Sequence, residues 1–146
     1  MAPLKRFDHI GVTVRDLEAA TAFFVALGLE IEGRAEVQGE FIDTVIGIPG
    51  SHTEIVMLTT PGGGTSVELS RFVHPDPEDV PDPAPATALG LRSLAFEVDD
   101  LQIEVDRLAA DGYGLVGGIG RFEDVWLMAY VRGPEGVVVA LAERLG

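Results

Sequence analysis

FDHIGVTVRDLEAATAFFVALGLEIEG, residues 7–33, lies without a gap over LRSLAFEVDDLQIEVDRLAADGYGLVG, residues 91–117, when the chain is compared with itself at an offset of 84. Six of the 27 positions are identical: Val14/Val98, Asp16/Asp100, Leu17/Leu101, Ala26/Ala110, Gly28/Gly112 and Gly33/Gly117. The identities fall where a shared plan needs them. Each segment opens with alternation, Ile10, Val12 and Val14 in one and Leu94, Phe96 and Val98 in the other, which is the period of a half-buried strand. Each then turns into a helix. Asp16 and Asp100 stand where a side-chain oxygen caps the first free amides, and Leu17, Ala20, Phe24 and Leu27, or Leu101, Val105 and Leu108, form an apolar stripe. Gly28 and Gly112 end the helices, where the left-handed conformation costs glycine little. Helices are thus predicted near residues 16–27 and 100–111, with Phe24 and Leu108 anchoring them to a sheet.

After each helix come β-rich stretches: residues 41–48, 54–58 and 65–70 in the first copy, then 115–119, 125–131 and 137–141 in the second. The turn signals between them are Gly47-Ile48-Pro49-Gly50, Pro61-Gly62-Gly63-Gly64 and Gly133-Pro134-Glu135-Gly136. Between the copies, HPDPEDVPDPAPATA has five prolines within residues 75–85 and no apolar period, so it reads as an exposed, stiff linker. The expected organisation is one α+β domain over residues 1–146. Its parts are a first βαβββ module at about 5–73, a linker at about 74–89 and a second module at about 90–146.

Composition narrows the function. The chain has 146 residues, 47% of them apolar, which is enough for a well-buried core. No apolar run is long enough to span a bilayer, and residues 1–12 pass into strand alternation without a signal-like apolar stretch. With no cysteine, disulfides, thiolate nucleophiles and sulfur-ligated metals are all excluded, so a reducing cytoplasm is the expected location. A formal charge of −14 repels phosphate backbones and anionic lipid, which excludes nucleic acid and membrane surfaces as expected partners. No Walker-type loop occurs, since Gly62 to Gly64 lack the following Lys and Ser or Thr, and no nucleophile elbow is present.

Alternation also exposes a second face on the strands. His9, Gly11 and Thr13 occupy it in the first copy, and Ser93, Ala95 and Glu97 in the second. TSVELS over VVVALA adds Ser66, Glu68 and Ser70, matched by Val138, Ala140 and Ala142. Small and polar residues do not make a tight core, so this face is expected to border a cavity. Glu97 is a candidate general base if burial tunes it, and otherwise a carboxylate paired with His9 or an arginine. Trp126, Met128 and Tyr130 alternate with Leu127, Ala129 and Val131, and form either an aromatic wall for a ligand or a packing or dimer contact. His52, after a turn, and His74, at the start of the linker, read as solvated loop residues.

FDHIGVTVRDLEAATAFFVALGL resembles the opening module of the vicinal-oxygen-chelate superfamily of glyoxalases, extradiol dioxygenases and drug-binding resistance proteins. LRSLAFEVDDL with RGPEGVVVALAE resembles its second module. The resemblance covers nearly the whole chain apart from the linker. It implies two modules forming an incompletely closed, curved sheet around a cavity, commonly in a homodimer. In metal-dependent members the first strand of each module offers a His or Gln and the last a Glu, and those four positions here hold His9, Glu68, Ser93 and Ala140. Half the set is therefore missing, in the module where extradiol dioxygenases carry iron, and ring-cleaving chemistry is not expected. The cofactor expectation is none, with His9 and Glu68 able to hold a divalent ion weakly if water, substrate or Glu97 completes the shell. Three functions compete for a small-molecule ligand: a metal-dependent, glyoxalase-like lyase or isomerase; a metal-free drug-binding protein of the resistance type; and an enzyme using His9, Glu68 or Glu97 without metal. The candidate substrate contacts are His9, Thr13, Ser93, Trp126, Met128 and Tyr130.

Overall fold

A computed structural model of the chain describes residues 3–79 and 85–146. It contains β1 (His9–Thr13), α1 (Leu17–Leu27), β2 (Glu30–Gln38), α2 (Glu40–Ile46), β3 (His52–Thr59) and β4 (Ser66–His74). These are followed by β5 (Leu94–Val98), α3 (Leu101–Ala110), β6 (Gly120–Phe122), β7 (Trp126–Arg132) and β8 (Val138–Arg144). The chain divides after Asp79 into two compact units. Each is an open four-stranded sheet, ordered β1-β4-β3-β2 in the first and β5-β8-β7-β6 in the second. The first and last strands of each unit pair in parallel, and the other neighbours are antiparallel.

Both long helices begin as the aspartates dictate. Asp16 accepts a hydrogen bond from the Ala19 amide at 3.0 Å, and Asp100 from the Ile103 amide at 3.1 Å. Helix α1 buries Leu17, Ala20, Phe23 and Phe24 against β3 and β4, whose Val56, Leu58, Val67 and Leu69 face it. Phe23 and Phe24 meet edge to face, with ring centroids 5.2 Å apart. Helix α3 buries Leu101, Val105 and Leu108 against β7 and β8, where Ala129, Val131, Val139 and Leu141 complete the core. The Glu143 carboxylate, accepting from the Leu101 amide at 2.7 Å, ties the start of α3 to β8.

Three sequence expectations need correction. Residues 41–48 are not a strand but helix α2 and its end, although Ile42, Val45 and Ile46 favour extended structure. The Asp43 carboxylate overrides that preference by accepting from the Gly50 and Ser51 amides and the Ser51 hydroxyl. Gly47 then leaves the helix at φ 75°, which suits a residue without a Cβ. Residues 115–119 contribute one isolated bridge, Leu115 to Val131, and the edge strand is β6 instead, because Gly117 and Gly118 interrupt the run. The third correction concerns His52 and His74. They open β3 and close β4 and pair with each other across the ladder, so they are strand residues rather than loop residues. Strand β2 was not foreseen at all, although Ile31, Ala35 and Val37 alternate with charged residues along it. Of the Pro-rich linker, residues 80–84 lie outside the described residues.

Candidate functional site

Ladder partners share a face of the sheet, so the register shows which side chains stand together. In the first unit, Gly11 pairs with Glu68 and Thr13 with Ser70, and Glu68 and Ser70 pair in turn with Met57 and Ile55. In the second, Ala95 pairs with Ala140 and Glu97 with Ala142, followed by Tyr130 and Met128. Ala140 therefore occupies in its sheet the position that Glu68 occupies in the other, as the overlay of TSVELS on VVVALA requires. In both units this is the face turned away from the helix.

His9 opens β1 on that face. Its Nδ1 lies 2.7 Å from Asp8 Oδ2 and its Nε2 lies 3.5 Å from Glu68 Oε2. A carboxylate only accepts, so in the bond to Asp8 the proton belongs to Nδ1, and Nε2 is left facing Glu68. Asp8 itself is held below the usual carboxylate range, first by this hydrogen bond and then by the Arg6 guanidinium 2.7 Å away. Glu68 also accepts a long hydrogen bond of 3.4 Å from the Ser70 hydroxyl. Residues Leu4 to Asp8, leading into β1, line a concavity of about 520 Å³ that His9 does not enter.

The other candidates sit in the second unit. Ser93 stands exposed just before β5, and Glu97 is exposed within it. Glu97 makes no ion pair with His9 or an arginine among the described residues. Leu127, Ala129 and Val131 face α3, while Trp126, Met128 and Tyr130 stand on the same face as Ala95 and Glu97. Met128 and Tyr130 are 43% and 39% exposed and pair with the half-buried Ala142 and the buried Ala140. Arg144, the cross-strand partner of Trp126, lies with its guanidinium carbon 5.2 Å from the indole centroid, and Phe122 continues the row. Sequence reasoning missed Asp8, Arg144 and Phe122. Asp8 lies just before β1, and the other two join the row only through strand pairing.

A metal centre fits this donor set poorly. His9 and Glu68 supply two ligands from the first unit, while Ser93 and Ala140 supply a poor donor and none from the second. Among the described residues, no group of three or more His, Asp or Glu side chains is placed to hold an ion.

A family profile described as the glyoxalase/bleomycin resistance protein/dioxygenase superfamily matches residues 8–130. The chain belongs to that superfamily. A glyoxalase family protein from Bacillus cereus is 40% identical to it over 100% of this chain and 99% of the other, with a TM-score of 0.95. Two more distant solved structures share the fold. TnmS3, an antibiotic binding protein from Streptomyces sp. CB03234, is 21% identical over 99% of both chains, with a TM-score of 0.63. A mutant of the fosfomycin resistance protein FosX from Listeria monocytogenes, complexed with Mn(II) and a dihydroxypropylphosphonic acid, is 14% identical over 98% and 91% of the chains, with a TM-score of 0.63. No curated protein matches the sequence. No helix among the described residues is long and apolar enough to cross a membrane.

Proposed function

We propose that this superfamily member binds a small, flat organic molecule on the helix-free faces of its sheets, without depending on a metal ion. One observation carries the reading. Trp126, Met128 and Tyr130 form a half-exposed wall on the same face as the small residues Ala95, Ala140 and Ala142. The accessible small residues Ala95 and Ala142 leave room for a ligand, and aromatic side chains supply stacking area at little entropic cost. The antibiotic-binding role of TnmS3 is compatible with such a face, and the incomplete donor set counts against a role that needs a Lewis acid. Trp126 is the only tryptophan, so its fluorescence reports on this face directly. A screen of planar aromatic compounds should yield saturable quenching, and Tyr130→Ala should weaken it about tenfold. Hits whose affinity is unchanged in Tyr130→Ala and Met128→Ala variants would place binding elsewhere.

A second reading is favoured by the His9–Glu68 geometry. An imidazole nitrogen 3.5 Å from a carboxylate oxygen is a two-donor start for a weakly held divalent ion, or an acid and base pair for moving a proton on a bound ligand. Calorimetry with zinc or nickel separates the two, since the metal reading requires heat that disappears in His9→Ala.

A further inference from the structure

We infer that Arg132 is the anchor for an anionic group of the ligand, specifically the carboxylate of a small organic acid. The inference rests on the reading that this face binds a small molecule. Arg132 ends β7, two residues beyond Tyr130, and pairs with Val138, so it belongs to the face that carries Tyr130 and Ala140. Its side chain is partly buried, and its Nη1 is shielded from solvent with no hydrogen-bond partner among the described residues. The other arginines are not left in this state. Six face a carboxylate, Arg92 donates to two backbone carbonyls, and Arg144 lies on an indole ring.

A shortage of acidic residues does not explain the exception, because the chain has 24 of them against 10 Lys and Arg. A guanidinium N–H shielded from water without an acceptor is unfavourable, and a group that arrives from outside can relieve it. A planar fork of donors matches the two oxygens of a carboxylate. On the same face, Tyr130 and the exposed Ala95 offer surface for the apolar remainder of the same molecule, while Ala140 between them is buried. The acidic surface elsewhere would disfavour an anion that lacked such an anchor.

The test titrates 15N-labelled protein with benzoate, phenylphosphonate and neutral benzamide. It follows the Arg132 side-chain resonance by NMR and Trp126 by fluorescence. Benzoate should shift the Arg132 resonance saturably and bind at least about tenfold more tightly than benzamide, and Arg132→Gln should erase that preference. Phenylphosphonate binding without benzoate binding would overturn the carboxylate assignment. Equal binding of benzoate and benzamide, with Trp126 responding to both, would overturn the anchor while leaving the ligand-binding face standing. No response to any of the three would count against both. Arg132→Met should melt at or above the temperature of the unmodified protein, since it removes an unsatisfied donor. A fall of many degrees would identify a structural arginine and overturn the inference.

Discussion

Phe24 and Leu108 are the clearest cases of a single side chain deciding stability, each at most 1% exposed beneath its helix. Phe24→Ala and Leu108→Ala should each cost roughly 2 to 5 kcal/mol in urea or guanidinium unfolding, the range for emptying a packed site. Asp43 acts through polar contacts instead. Hydrogen bonds from the Ser51 hydroxyl and then the Gly50 amide hold its carboxyl below the ordinary value of 3.8. A depressed folded-state value means that stability is present above about pH 3.8 and is lost as pH falls through the lower folded value. Asp43→Asn should therefore lower Tm at pH 7, and the difference from the unmodified protein should shrink below pH 3. Melting curves at the two pH values check this. His9 shows how far a lone residue can be read. Its place on the strand face and its neighbour Asp8 were legible in the sequence, whereas the approach of Glu68 to its Nε2 is something only folding brings about.

At the scale of elements, the paired aspartate caps were legible because an N-cap is a local device, satisfied by an amide three residues on. Asp16→Ala and Asp100→Ala should each cost about 0.5 to 2 kcal/mol, measured by chemical denaturation, without changing the fold. Helix α2 escaped notice for the opposite reason. Its β-branched residues argue for a strand, and what holds it helical includes a carboxylate reaching Gly50 and Ser51 beyond its end. Strand β2 carried an alternating signal too weak to stand alone, since nearly all its residues are exposed and it gains order by pairing along β3. The aromatic row was visible as alternation. Its direction was not, because Leu127, Ala129 and Val131 are as plausible on a ligand-facing side as Trp126, Met128 and Tyr130 until α3 covers one of them.

For the whole molecule, each sheet taken by itself keeps two edge strands, and Phe7, Phe41, Leu89, Leu91 and Phe122 stand more than half exposed. Unpaired edges and exposed apolar residues favour association, so light scattering at micromolar concentration should show a homodimer, and a monomer would refute it. The metal reading is testable at the same scale. Because Ala140 pairs with Ala95 as Glu68 pairs with Gly11, the double variant Ser93→His with Ala140→Glu should place a second His and Glu in matching register. Calorimetry should detect nickel or zinc binding by that variant well above that of the unmodified protein, whose Tm should be unchanged by chelator.

The sequence by itself determined the repeat, the two capped helices and the buried anchors, because these rest on local periodicity and on hydrogen bonds a few residues long. It also placed His9 and Glu68 at matching positions in the module plan. Tertiary structure alone decided that residues 41–48 form a helix, that Trp126 faces away from α3, and that Arg144 and Phe122 join the same row. The physical reason is range. Register between strands and the choice of covered face depend on partners far along the chain, and alternation records that two faces differ without saying which of them the helix will cover.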